Sequence, residues 1–199
     1  MNFTQDLNLQ TDKVLLRPFQ PSDLEALQTI VIDEDIWRYM ATKVASDTEL
    51  GYWVYNAVKD REKQQRYTFM IVDKATGNLA GSTAYGNISI VDKRLEIGWT
   101  WLGKPYRGTG LNRHCKFLLL HYAFDVLGYE RVELKTDVLN LRSRQAMRKI
   151  GATEEGVLRS HMQMHDGRRR DTIYYSILRH EWPSIRETIF LDLSTAKQV

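Results

Sequence analysis

The sequence predicts an α+β (mixed α/β) fold in which a mostly antiparallel sheet is flanked by helices. Its β-forming and helical runs come in blocks: a strand, two helices, three strands, a helix, a strand, a helix, two strands. They lack the strict βα alternation of a doubly wound dinucleotide fold. The longest helical run, 111–127 (LNRHCKFLLLHYAFDVL), is apolar at helical spacing and closes on Gly128, a residue that readily ends a helix. With 199 residues, 43% of them hydrophobic and 27% charged, the chain has enough apolar material for one ordinary domain. That domain is expected over 1–199, with a core at about 12–182 and a tail at 183–199. No internal repeat or Pro/Gly/Ser-rich linker divides it.

Each element has its own signal. Residues 13–18 (KVLLRP) read as a strand stopped by Pro18. Ser22 followed by Glu25 has the spacing of a capping box, and Leu24, Leu27, Ile30 and Val31 make a helical stripe behind it. Ser46 and Glu49 repeat the capping signal ahead of Leu50, Trp53, Val54 and Ala57. Residues 67–72 (YTFMIV) are rich in β-formers, DKATGN carries turn chemistry, and 79–89 is strand-like again, which predicts a hairpin. Leu95, Ile97, Trp99 and Trp101 alternate with Glu96, Gly98 and Thr100 as a third strand of the same sheet. After the long helix come a strand at 131–138 (RVELKTDV) and a short basic helix at 141–150 ended by Gly151. Strands at 156–164 and 170–178 then flank the turn His165-Asp166-Gly167. The tail from Pro183 (SIRETIFLDL) is amphipathic and suited to packing on the core or across a homodimer.

Composition excludes several function classes. The formal charge is +3, and Lys and Arg are interspersed with Asp and Glu except at Arg168, Arg169 and Arg170, so no direct nucleic-acid binding is expected. No apolar run approaches the roughly 18 residues of a membrane span, and MNFTQDLNLQ lacks the pattern of a signal peptide. A cytoplasmic protein is the expectation. Cys115 is the single cysteine and the five histidines are scattered, His114 and His121 reading as packing or surface residues, so no metal site is expected.

The stretch 98–112 (GWTWLGKPYRGTGLN) holds two overlapping anion-binding patterns. Gly98-x-x-x-x-Gly103-Lys104 imitates the front of a P-loop, but the Ser or Thr that would hold magnesium is Pro105, and Gly98 sits inside a strand. A nucleotide hydrolase therefore has little support. In the second pattern, Arg107-Gly108-Thr109-Gly110-Leu111-Asn112 lies between a strand and the long helix. There two glycines let successive amides point into one concavity at the positive helix end. A tight strand-to-helix turn without a ligand would look the same.

Spacing across the chain distinguishes the two. A strand carrying Glu96, the Arg107-x-x-Gly110-x-Asn112 turn, a long helix, a strand, and Asn140-x-x-Ser143 on a short helix ending Lys149-Ile150-Gly151-Ala152 together resemble the GNAT superfamily of acetyl-coenzyme A dependent N-acetyltransferases. The resemblance runs from about Leu15 to Trp182. The phrases LEIGWTW, NLRSRQAMRKIGATEEGVLR and DGRRRDTIYYSILRHEW look like its RimJ/RimL branch. One departure matters: the last loop position, usually Gly or Ala in the family, is Asn112. Asn is a favoured helix cap, yet its side chain at this place could crowd the phosphates.

The resemblance implies a GNAT fold with a splayed sheet and the following roles. Amides of Arg107, Gly108, Thr109, Gly110, Leu111 and Asn112 would hold the pyrophosphate of acetyl-coenzyme A, the co-substrate, with charge from Arg107 and Arg113. The pantetheine arm would pair with Trp99, Thr100 and Trp101, the Trp101 amide would take the thioester oxygen, and Asn140 would bond the arm or simply cap its helix. Glu96 would take the proton of the amine, directly or through water, and Ser143 would protonate the thiolate. Read without the family, Glu96 is a polar residue on a strand's solvent face and Ser143 a surface serine. The amine acceptor, a protein N-terminus or a small molecule, would enter past the loop holding Asp33, Glu34, Trp37 and Tyr39, an acidic and aromatic set suited to a cation or to a solvated turn. Cys115 would not form an acetyl-cysteine, because a lone cysteine in an apolar run is commonly buried. The competing expectation is a catalytically weak acetyl-coenzyme A binding protein that acts as a ligand sensor.

Overall fold

The structure, a computed structural model, describes residues 1–194; positions 195–199 of the expected tail lie outside the described residues. Eight strands form one sheet: β1 (Leu9–Gln10), β2 (Val14–Arg17), β3 (Arg66–Asp73), β4 (Leu79–Ser89), β5 (Arg94–Leu102), β6 (Arg131–Asp137), β7 (Thr153–Gln163) and β8 (Arg169–Leu178). Their order is β1-β2-β3-β4-β5-β6-β8-β7. Every neighbouring pair is antiparallel except β5 and β6. That parallel pair is in register only at Arg94↔Arg131, Leu95↔Val132 and Glu96↔Glu133. Beyond Glu96 the two strands part, and both run toward the same open end.

Helices cover the two faces. On one face α3 (Leu111–His121) lies over Tyr67, Phe69, Tyr85, Leu95 and Ile97, with Trp182 and Phe190 of the C-terminal segment closing that core. On the other, α1 (Asp23–Val31) and α2 (Asp47–Glu62) bury Met70, Leu79 and Trp101 with Leu27, Trp37 and Leu50. Central strands are thus covered on both sides. This corrects the view of Glu96 as a solvent-face residue: it is 3% exposed.

Local chemistry fixes the element ends, not always as the sequence suggests. The Ser46–Glu49 capping box forms: the Glu49 amide donates to Ser46 Oγ at 3.2 Å, and the Glu49 carboxylate accepts the Ala45 amide at 2.6 Å. The Ser22–Glu25 box does not form, and Ser22 makes no capping bond. Asp23 takes over by accepting the Gln20 amide at 2.8 Å while pairing with Arg17 at 2.6 Å. The long helix stops its regular winding at His121 and continues to Val126 as a wider turn, where the Tyr85 hydroxyl takes the Leu119 carbonyl at 2.5 Å. The expected alternation of β5 breaks at Trp99, which has φ +52°. The amphipathic tail forms α5 (Trp182–Thr188) and α6 (Leu191–Ser194) and docks beside α3 through Arg113, which pairs with Asp192. Between β6 and β7, α4 (Leu141–Lys149) starts at the open end of the strand gap.

Candidate active site

Three features converge where β5 and β6 part. The first is a bulge. Ser82 pairs with Trp101 and Ala84 with Gly98, so Trp99 and Thr100 together stand opposite the single residue Thr83. The Gly103 amide donates to the Ala80 carbonyl at 2.9 Å, and strand alternation turns the Trp101 amide the same way, toward β4. The amides left facing β6 are those of Trp99 and Thr100. The Trp101 side chain is buried between Trp37 and Trp53, with ring centroids at 5.8 and 6.0 Å. The Trp99 indole lies across Gly86, where a Cβ would come within 2.4 Å of the ring, and Arg66 stacks over it at 5.3 Å.

The second feature is the loop before α3. Gly108 and Gly110 have φ of +79° and +93°, a conformation that costs glycine little and L-residues more. The Arg107 amide donates to the Lys104 carbonyl. From Gly108 to Asn112 no amide bonds to a backbone or side-chain acceptor among the described residues. Five successive free amides at a helix N-terminus form an anion nest. A Cβ on Gly108 or Gly110 would meet nothing within 4 Å, so the concavity is open and fits a diphosphate. Gly110, not Asn112, is the cap of α3. The Asn112 Oδ1 atom is buried without a partner, so its side chain turns inward, away from the nest. The Arg107 guanidinium also turns inward, donating to the Leu102 carbonyl at 2.9 Å and pairing with Asp33 at 2.7 Å. Arg113 is committed to the tail.

The third feature is Glu96 at the vertex. Its Oε2 accepts from Asn87 Nδ2 at 2.6 Å and from Lys135 Nζ at 2.9 Å. Its Oε1 lies beside Gly98, where a Cβ would stand 2.8 Å away. Gly98 thus leaves room for the carboxylate that a larger residue would displace. At the far side of the gap, Asn140 Oδ1 caps α4 by accepting the Ser143 amide at 3.1 Å. Asn140 and Ser143 are both half-buried at that open end.

The acceptor-side residues are dispersed. Asp33 pairs with Arg107, Glu34 is exposed and 3.5 Å from Lys43, and Tyr39 offers its carbonyl to Arg170. Trp37 is 2% exposed and its Nε1 donates to the Val31 carbonyl at 2.7 Å. A cavity of about 250 Å³ does open between this loop and the 165–166 turn, lined by Glu34, Trp37, Arg38 and His165. Sequence reasoning missed Asn87, Lys135 and Arg170 around Glu96, and Lys116 beneath the bulge. Alternation along β8 carried a signal for Arg170, since it shares a face with Thr172 and Tyr174; nothing in the sequence gave the register that brings Lys135 to Glu96.

Among the described residues no group of three or more His, Cys, Asp or Glu side chains could hold a metal ion, and no helix is long and apolar enough to cross a membrane. Two parting strands, an amide nest and a buried carboxylate between them define an acyltransferase. Residues 13–153 match the family model described as the acetyltransferase (GNAT) domain. The chain belongs to this family and is an N-acetyltransferase. It is 28% identical over 180 residues to YdaF of Bacillus subtilis, named provisionally as a ribosomal N-acetyltransferase, covering 86% of this chain and 94% of that one. It is 25% identical over 176 residues to the spermidine N(1)-acetyltransferase of Escherichia coli, covering 88% and 91%. A GCN5-related N-acetyltransferase from Brucella melitensis superposes with a TM-score of 0.88 at 28% identity, over 96% of this chain and 87% of that one.

Proposed function

We propose that this chain acetylates a primary amine, a protein N-terminal α-amine or a small-molecule amine, by direct attack in a ternary complex with acetyl-coenzyme A. The observation that carries the reading is the buried Glu96, its Oε2 held by Asn87 and Lys135 and its Oε1 left free at the vertex of the gap. When bound, acetyl-coenzyme A supplies an activated acetyl group and a thiolate that needs a proton.

The chain's own residues supply the rest. Gly108 to Asn112 hold the diphosphate through their amides, while Asn140 and the bulge at Trp99 and Thr100 orient the arm that leads into the gap. The Thr100 amide, facing β6, stabilises the developing oxyanion in place of Trp101. An attacking ammonium, with a reference pKa of about 8 for an α-amine, must first lose a proton, and Glu96 Oε1 accepts it. Ser143 delivers a proton to the departing sulfur. Cys115 takes no part: it is fully buried and burial pushes its thiol up to about 12, so the thiolate that a ping-pong route needs is not formed near neutral pH.

The test is release of free thiol from acetyl-coenzyme A across a broad panel of amines. Glu96→Gln and Ser143→Ala should slow release while thermal stabilisation by coenzyme A persists. Undiminished turnover in both variants would remove the assigned roles, and stabilisation by the cofactor with no thiol from any amine would mark a ligand sensor.

A further inference from the structure

The face of the sheet that carries Glu96 also carries a buried cation with almost nothing to bond. Arg170 is 7% exposed. Its Nε is buried without a partner, and its one hydrogen bond among the described residues is a long one, Nη1 to the Tyr39 carbonyl at 3.4 Å. A guanidinium has five N–H donors, and a buried ionic group left unpaired is strongly destabilising.

The carboxylates nearby make their hydrogen bonds to other groups. Asp137 accepts from Arg168 at 2.5 Å and from the Leu139 amide at 2.9 Å, and Glu96 accepts from Lys135 and Asn87. Asp166 also faces Arg168, so Lys135, Arg168 and Arg170 stand against Glu96, Asp137 and Asp166; the charges balance, yet Arg170 is left with buried N–H donors that no carboxylate accepts. Alternation along β8 puts Arg170, Thr172 and Tyr174 on one face, and Lys135, which lies 5.7 Å over the Tyr174 ring, ties that face to Glu96. Arg170 thus borders the space from which an amine would reach Glu96.

Building on the proposed acetyl transfer at Glu96, we propose that Arg170 binds a carboxylate of the acceptor, so that the substrate is a primary amine that also carries a carboxylate. A planar guanidinium fork matches a carboxylate with two parallel N–H···O bonds, and burial strengthens both. Two sources share that chemistry, a free amino acid and a peptide with an acidic residue next to its N-terminus. A polycation such as spermidine would meet Lys135 and Arg170 as like charges, so this face opposes the substrate named for the Escherichia coli relative.

The experiment compares matched acceptors on the full-length protein: glutamate against its diamide, and a peptide with Asp at the second position against the same peptide with Asn. Thiol release gives kcat/KM, and calorimetry in the presence of coenzyme A gives binding. The expected result is at least a tenfold preference for the carboxylate member of one pair, in binding and in kcat/KM, reduced to about one in Arg170→Gln and partly kept in Arg170→Lys. Which pair shows the preference identifies the source. No preference in either pair for the wild-type protein overturns the proposal even if every Arg170 variant fails to fold. Carboxylate-selective binding without thiol release would instead keep the Arg170 site and sink the acetyl-transfer reading.

Discussion

Two cations are buried on opposite faces of the sheet at the strand gap, and they are accommodated differently. Beneath α3, Lys116 is 7% exposed, and its Nζ donates to Thr100 Oγ1 at 2.8 Å, which in turn bonds Thr83 Oγ1 at 2.8 Å. Burial pushes the Lys116 pKa down to about 8, so this ammonium can shed its charge near physiological pH. On the other face burial also lowers the pKa of Arg170, but a guanidinium stays protonated in any accessible pH range. The α3 face can be made neutral from within. The Glu96 face keeps its charge, and on the proposed reading Arg170 there takes the acceptor's carboxylate, which would set a cofactor side apart from an acceptor side.

The comparison breaks most directly at Glu96. Glu96→Gln removes the proposed proton acceptor and leaves Lys135 without its anion. General acid–base catalysis is worth about 10²–10⁴-fold, so kcat should fall by that order while coenzyme A affinity holds. A fall confined to KM would show that Glu96 binds the acceptor and does not move its proton.

On the α3 face the expected effect is on stability, and its sign follows from proton binding. Lys116 titrates at about 8 in the fold against an ordinary value of 10.5, so above pH 8 the unfolded chain binds more protons and unfolding free energy climbs with pH. The clean window is about pH 8 to 9, because the Cys115 thiol, held up to about 12 from 9, contributes the opposite slope above that. Over the full shift the charged form costs roughly 3 kcal/mol at pH 7. Lys116→Met should remove most of that cost and flatten the rise, measured by denaturant unfolding at pH 7, 8 and 9. A destabilised Lys116→Met protein at pH 7 would show that the hydrogen bonds to Thr100 outweigh burial of the charge.

Gly98 returns the comparison to the Glu96 face. A methyl there would stand 2.8 Å from Oε1, so Gly98→Ala has to displace the carboxylate. Turnover should fall about tenfold, since misplacing a catalytic group by a fraction of an ångström costs rate long before it costs folding. The anion nest is remote from Gly98, and coenzyme A binding by calorimetry should be unchanged.

Gly98 also shows what the sequence could and could not disclose. Its position in the alternating run of β5, together with the Pro105 that spoils the P-loop pattern, was enough to place it inside a strand and to move the proposed phosphate site to 107–112. Local chemistry of that kind, caps at Ser46 and Asn140 and glycines at 108 and 110, is written within a few residues. Glu96 could be singled out by its strand and the family pattern, but its burial depends on Asn87 and Lys135 closing on it from the neighbouring strands, on a face that alternation alone assigns to solvent. Lys135 lies far along the chain from Glu96, and only the three-residue parallel register brings the two together. Asn112 is the inverse case. Its type and place suggested a cap, yet Gly110 in the left-handed region starts the helix first and leaves Asn112 to point inward.

The smallest expected effect concerns the ion pair that joins the proposed acceptor-side loop to the turn before α3. Asp33 accepts from Arg107 Nη2 at 2.7 Å, with both side chains about one-fifth exposed, and also caps the turn at Glu34–Ile36 through the Asp35 amide. Exposed ion pairs are worth up to about 1 kcal/mol, and the partial burial here favours the upper end. Asp33→Ala should therefore loosen both segments modestly: a fall in stability of about 1 kcal/mol, and a coenzyme A affinity weakened by about two- to fivefold, because Arg107 no longer holds the loop from behind. Adding salt to the wild-type protein should reproduce part of that weakening. If the acceptor KM rose while coenzyme A affinity stayed fixed, Asp33 would belong to the acceptor site itself, and the division between a cofactor side and an acceptor side would have to be redrawn around that loop.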